Sequence, residues 1–277
     1  MGDFKCIAIS DGTFRYPVAM FFANVPKEQY EPGLCQRGQS LEEVEVPYTC
    51  LYIDTGRERV LVDTGAGDLA PTVGKLLPRL HAEGIEPRGI GTVILSHAHP
   101  DHIGGNLDDH GKPAFPNARH IIWKEEWDFW LSGPSLVELQ VDQHLKEIML
   151  ASAEKNLSGI EGQIELLKQE TEVLPGVLAI PAPGHTPGHM ALKISSNEEH
   201  LLYLADAVCH PVHLEYPETC VATDLFPMRV VSSRRQLLRR ATRETALVHA
   251  FHFPFPGLGH VTAKGAAWHW QPFAAES

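Results

Sequence analysis

The sequence contains no Cys-x-x-Cys pair, and its five cysteines (Cys6, Cys35, Cys50, Cys209, Cys220) are odd in number and far apart. That pattern argues against a disulfide framework and reads as free thiols in a reducing cytoplasm. No apolar run is long enough to span a bilayer, so no membrane partner is expected. The N-terminal stretch from Met1 to Cys6 lacks a basic region followed by a long apolar core, so no signal peptide is expected there. Positive charge is scarce: 23 Lys and Arg stand against 35 Asp and Glu, a formal net charge of −12. A surface this acidic argues against nucleic acid as the main partner. Neither a Gly-x-Ser-x-Gly elbow nor a Walker loop occurs, which disfavours a serine hydrolase and a P-loop NTPase.

What remains is a chain of 277 residues with 43% hydrophobic content, enough to bury a large core. No linker or low-complexity stretch divides it, so one domain over residues 1–277 is expected. Strands are expected at 4–10, 48–54, 58–63, 91–95, 119–123, 171–174, 177–181, 188–195, 200–205 and 245–251. Helices are expected at 69–83, from Lys124, over 136–157, over a short stretch of 160–170, and over the basic segment 232–244. Residues 11–47 read as irregular. Strands and flanking helices recur in both halves, which points to α/β layers.

The densest chemistry lies in Ser96-His97-Ala98-His99-Pro100-Asp101-His102-Ile103-Gly104-Gly105. It follows an apolar run, Gly91–Leu95, that reads as a buried strand. His97 and His99 are two apart, so an extended backbone projects both the same way. Imidazole suits zinc and iron, and a neighbouring carboxylate suits a second, harder ion. An Asp101 that merely caps a helix would not account for three histidines at this spacing. The glycine pair allows backbone to pack close to the site.

Further ligand candidates stand where strands end. His185 and His189 share a Pro/Gly-framed turn, and His185 directly follows the strand 177–181. Asp206 ends the apolar run 201–205, where a carboxylate is costly unless paired or metal-bound. His252 leaves the strand 245–251, with His260 as the alternative. Alternation along that strand puts His249 on the opposite face from His252.

This constellation resembles the His-x-His-x-Asp-His signature of the metallo-β-lactamase-fold hydrolases. The resemblance runs from Asp63 to the C-terminus and implies a four-layer αβ/βα sandwich. It implies one ion held by His97, His99 and His185, and a second held by Asp101, His102 and His252. Asp206 and a water or hydroxide bridge the two. Asp63 matches the family's first motif, whose role is to hold the metal loop through hydrogen bonds. His185 and His252 match the third and last motifs, which favours them over His189 and His260. The true β-lactamases of this fold carry cysteine at the bridging position, so this chain is not expected to be one.

Asp11–Phe14, Phe22–Pro26 and His252–His260 look like the branch containing methyl parathion hydrolase and related lactonases. Homoserine-lactone lactonases usually carry tyrosine three residues after the bridging aspartate; Cys209 stands there, so weak turnover of long-chain homoserine lactones is expected.

The expected activity is hydrolysis of a lactone or ester carbonyl by the bridging hydroxide, with Asp101 passing the proton. Zinc is the default metal because histidine dominates, with iron, manganese and cobalt as alternatives. The substrate is a small molecule, met by Phe21, Phe22 and Cys209. Residues 18–22 read as an apolar wall over the metals, as an arm that builds a homodimer, or as ordinary core. The competing activities are phosphotriester hydrolysis and glyoxalase-II-like thioester hydrolysis, the latter with arginines 229–243 supplying a basic pocket. A non-catalytic metal-binding protein is the alternative outside enzymes. Gly65-Ala66-Gly67-Asp68-Leu69-Ala70 fits the short dinucleotide fingerprint, but the metal set downstream makes that reading weak.

Overall fold

A computed structural model describes residues 1–273. The elements run β1 (Lys5–Pro17), α1 (Val18–Phe21), α2 (Lys27–Gln36), β2 (Glu43–Asp54), β3 (Arg59–Val62), α3 (Leu76–Ala82), β4 (Thr92–Ile94), α4 (Pro100–Ile103), β5 (Arg119–Trp123), α5 (Lys124–Leu131), α6 (Gln143–Ser158) and β6 (Ile164–Leu167). They continue with β7 (Thr171–Leu174), β8 (Val177–Pro181), β9 (Met190–Ser196), β10 (Glu199–Tyr203), α7 (Val212–Glu215), α8 (Pro227–Arg243), β11 (Leu247–His249), β12 (Leu258–Lys264) and β13 (Ala267–Pro272).

The strands form two sheets. One has six strands in the order β1 to β6; the other has seven, from β13 back to β7. Val60–Val62 and Thr92–Ile94 are wholly buried in the parallel part of the first sheet, as near-continuous apolar runs there require. Alternation shows instead in β2, where Val44 and Val46 are buried and Glu43 and Glu45 exposed. A single hydrophobic cluster draws Leu61, Val93 and Ile121 from one sheet together with Val177, Leu192 and Tyr203 from the other. The sheets therefore share a core. Helices α3 and α5 pack on the first sheet and α8 on the second, which is the αβ/βα sandwich that the motifs implied.

Several boundaries differ from those expected. Residues 11–47 are largely ordered into the rest of β1, then α1, α2 and the start of β2. The register between β1 and β2 shifts between Ser10 and Gly12. That bulge turns Asp11 out of the alternation and buries it completely. Its carboxylate accepts hydrogen bonds from Ala66 N (2.8 Å), Gly74 N (3.0 Å) and Leu76 N (2.8 Å). These contacts, and the left-handed φ of +72° at Gly74, confine the helix expected over 69–83 to Leu76–Ala82.

The helix expected over 136–157 begins only at Gln143, where the Asp142 carboxylate caps it by accepting from Leu145 N at 2.8 Å. Beyond a short 3-10 turn, the expected helix over 160–170 is the edge strand β6, because parallel pairing with β5 overrides its local preference. No helix among the described residues is long and apolar enough to cross a membrane.

Candidate metal centre

Each sheet delivers its polar residues from the carboxyl ends of strands, the usual mouth of an α/β sheet. Asp63 follows β3, the segment 96–102 follows β4, Asp206 follows β10 and His252 follows β11. His185 lies on the turn after β8. The two glycines after Ile103 allow the loops to close up: a Cβ on Gly104 would stand 2.4 Å from Ala66 O, and one on Gly105 only 2.1 Å from Thr64 O. Asp63 and Ala205 both take left-handed backbone, with φ of +60° and +43°. Such strain in non-glycine residues concentrates at functional sites.

All seven sequence candidates converge. His97, His99 and His185 form one group, Asp101, His102 and His252 another, and Asp206 joins His97 and His102; within each group the donor atoms lie within 4.8 Å of one another. His99 Nδ1 stands 3.1 Å from His97 Nε2 and 2.9 Å from His185 Nε2. Tetrahedral donors about 2.0–2.1 Å from one ion lie about 3.3 Å apart, so this spacing suits a shared metal. Asp206 sits between the groups. Its Oδ1 is 3.2 Å from His102 Nε2, and its Oδ2 is 3.3 Å from His185 Nε2 and 3.1 Å from His252 Nε2. Asp101 Oδ2 lies 3.4 Å from His252 Nε2 and 3.7 Å from His102 Nε2.

The donor set fits metal ions on two further counts. His102 Nε2 and Asp206 Oδ1, which face one another within the cluster, are buried without a hydrogen bond of proper geometry, an expensive state for polar atoms. In addition, several imidazoles are braced from behind. His102 Nδ1 donates to Asp63 Oδ2 at 2.7 Å, His185 Nδ1 to Asp224 Oδ1 at 2.7 Å and His252 Nδ1 to Pro47 O at 3.1 Å. Each bond leaves Nε2 facing the centre, as a histidine braced for metal binding does.

Electrostatics follow from burial and neighbours. Burial, then His102 and His99, hold the His97 pKa well below the usual histidine range. Burial and His185 do the same for His99, so both are neutral, the form that binds metal. Burial opposes charge on His102, but Asp206, Asp101 and Asp63 outweigh it and raise its pKa. Burial likewise opposes the Asp206 carboxylate, but His252, His102 and His185 hold its pKa well below the usual carboxylate range.

A profile of the metallo-beta-lactamase superfamily matches residues 44–252. The chain belongs to that superfamily. An N-acyl homoserine lactonase of Bacillus sp is 30% identical over 177 residues, 57% of this chain and 62% of the lactonase. One from Bacillus cereus is 29% identical over 181 residues, 58% and 63% of the two chains. This chain thus spans less than two thirds of the length of these relatives. Among solved structures, AidC, a dizinc quorum-quenching lactonase in complex with the product N-hexanoyl-L-homoserine, aligns with a TM-score of 0.94 at 27% identity, covering 100% of this chain and 97% of that one. The hydrolase AbOPH of the beta-lactamase superfamily aligns at 0.88 with 26% identity and the same coverage.

The superfamily site opens into a cavity lined by Tyr16, Met20, Phe21, Leu69, Leu145 and Met149, among others, with His99, Asp101, His185, Asp206 and His252 on its wall. Phe21 and Cys209 line it; Phe22 does not. Phe22 instead stacks on Tyr30 at 4.4 Å between centroids and meets His210 and His213 edge-on. Its place in the substrate pocket is therefore corrected to the packing behind it. Val18, Phe21 and Phe22 are buried within their own chain, so 18–22 is part core and part cavity wall. His189 is a brace, with Nε2 accepting from Asp206 N at 3.0 Å. The Gly65–Gly67 turn serves the Asp11 clamp and the approach of Gly104 to Ala66 and Gly67.

Sequence reasoning missed Glu126. This fully buried carboxylate on α5 accepts from Ala98 N (2.9 Å), Gly188 N (2.9 Å) and Trp130 Nε1 (2.7 Å). Burial raises its pKa against the pull of Thr186, Ala98, Trp130 and Gly188. It ties the loop of His97 and His99 to the turn of His185. A glutamate in an exposed-looking first helical turn carries no signal of this in sequence. Glu126→Gln puts an amide NH₂ against backbone N–H and is expected to weaken metal affinity about 10–100-fold while sparing KM. Competition with a chelator measures it, and unchanged affinity would refute the tie.

Proposed function

We propose that this chain is a single-domain, metal-dependent hydrolase of lactones or esters, with N-acyl homoserine lactones the first class to test. The observation that carries the reading is the seven-residue cluster on the wall of a largely apolar cavity. Its relatives and the dizinc lactonase to which it aligns support two ions per chain, and the histidine-rich donors suit zinc. Two divalent ions in this position supply polarisation of a carbonyl and acidification of a water, whose pKa can fall to about 7. His97, His99, His185, Asp101, His102, His252 and Asp206 would hold them.

Asp101 is the half-buried carboxylate on the cavity wall and carries the proton toward the leaving oxygen. Met20, Phe21, Leu69, Leu145, Ile148 and Met149 suit an apolar substituent on the substrate. The thioesterase reading loses its support. Arg234 is spent on the carbonyls of Ala207, Pro217 and Thr219, and Arg235 pairs with Glu218. No Lys or Arg among the described residues lines the cavity. The five unpaired cysteines suit the cytoplasm.

The test is metal-replete protein against acyl-homoserine lactones, simple γ- and δ-lactones, aryl acetates, paraoxon-type triesters and a glutathione thioester. Lactone or ester kcat/KM is expected to lead, and to vanish on chelation. A triester value higher by about tenfold, a difference of about 1.4 kcal/mol in barrier, would reverse the assignment.

A further inference from the structure

Among the cavity-lining residues outside the ligand set, three carry uncharged hydrogen-bond donors: Tyr16, Cys209 and Thr223. The Cys209 thiol is turned onto Asp206, 3.4 Å from its backbone oxygen and 3.7 Å from Oδ2. Thr223 has no side-chain hydrogen bond among the described residues to orient it. Tyr16 is different. Its hydroxyl lies 2.5 Å from that of Tyr48, and its ring is wedged against Phe14 at 4.8 Å and Phe21 at 5.8 Å.

The direction of the Tyr16–Tyr48 hydrogen bond can be worked out. Tyr48 is wholly buried, and Tyr16 is its hydroxyl's sole hydrogen-bond partner among the described residues. If Tyr48 only accepted, its own proton would be buried without an acceptor, which is the more costly arrangement. Tyr48 therefore donates to Tyr16, and the Tyr16 proton is left for the cavity, whose nearby carboxylates are Asp101 and Asp206. With those carboxylates engaged as ligands, the Tyr16 proton faces the space where a substrate oxygen would lie. Tyr48 is itself fixed: it stacks on Phe251 and meets the His252 ring edge-on at 5.5 Å. A relay of two phenols thus runs from beside a ligand histidine to the substrate space.

We propose that Tyr16, oriented and polarised by Tyr48, donates a hydrogen bond to an ester oxygen of the substrate during hydrolysis. No proton leaves Tyr16; the bond strengthens as negative charge grows on that oxygen. The inference rests on the hydrolase reading above.

The experiment uses the full, metal-replete chain and its Tyr16→Phe, Tyr48→Phe and doubly substituted forms, with a lactone that the wild type turns over. Tyr16→Phe keeps the ring packing and is expected to lower kcat about tenfold with metal content unchanged; it strands the buried Tyr48 hydroxyl and so lowers the melting temperature, which the doubly substituted form, lacking both hydroxyls, is expected to recover while kcat stays low. Tyr48→Phe is expected to lower kcat about threefold, and to cost nothing further in the Tyr16→Phe background. It would also weaken binding of the ring-opened product, N-hexanoyl-L-homoserine, in calorimetric titration. A Tyr16→Phe enzyme equal to wild type in kcat and KM overturns the proposal, as does a Tyr48→Phe loss of the same size in both backgrounds. Should a variant fold poorly, a crystal structure of the wild type with that product decides. An oxygen about 2.7–3.0 Å from the Tyr16 hydroxyl is expected, and none within hydrogen-bond reach overturns it. A wild type inactive on every lactone and ester sinks the hydrolase reading and this inference with it, an outcome visible before any variant is made.

Discussion

Asp206→Asn is expected to strip metal from the chain and to lower kcat/KM about 10³-fold, beyond the 10–100-fold typical of a supporting residue. The carboxylate has one oxygen toward His102 and the other toward His185 and His252, so it faces both halves of the cluster at once. An amide keeps the shape but loses the charge, and one of its two ends becomes an NH₂ that cannot ligate. The backbone stays in place, because His189 still receives the N–H of residue 206. The loss is therefore one of charge and donor, not of fold. Elemental analysis should show metal falling below the expected two ions per chain, alongside the kinetics. Two ions retained with a rate close to wild type would remove Asp206 from the bridging role.

Asp63→Ala is expected to act on stability before it acts on specificity. The Asp63 side chain is wholly buried and accepts from four donors: Ser96 N, Ser96 Oγ and His102 Nδ1, each at 2.7 Å, and Tyr203 Oη at 2.5 Å. Those donors reach it from the metal loop and, through Tyr203, from the opposite sheet. Each buried donor left without an acceptor costs about 1–3 kcal/mol, so the four together threaten most of the roughly 5–15 kcal/mol that holds a folded protein. Thermal melting of the chelated protein isolates this effect from metal loss, and a fall of many degrees is expected. Normal melting and full metal content with an altered substrate profile would contradict it.

Much of the architecture was legible from local pattern. β5, β7 and β8 begin and end where the sequence placed them, since each is a short apolar run bounded by turns or a helix start. α5 begins at Lys124 as expected. The segment before Leu76 was misread because apolar spacing does not register that Asp11, more than fifty positions away, captures its N–H groups. β6 was misread because its pairing partner, not its own residues, makes it a strand.

Which residues can serve as donors was legible in the chain alone, because imidazole and carboxylate groups clustered at expected strand ends are costly to bury without a partner. His97, His99, Asp101, His102, His185, Asp206 and His252 could all be picked out one by one, helped by the family pattern. Their distances could not, since those depend on two sheets closing on one another over a shared core. Nor could the braces. Glu126, Asp224 and Tyr48 lie far in sequence from what they hold, and their meaning comes from which backbone or ring they face after folding. Phe21 and Phe22 make the same point: neighbours in sequence, one lines the cavity and the other packs on Tyr30. Cys209 removes a phenolic donor from one position. Only tertiary structure brings a phenol, Tyr16, to the cavity from β1, because an antiparallel partner strand sets Tyr48 behind it, a long-range arrangement that no local pattern encodes.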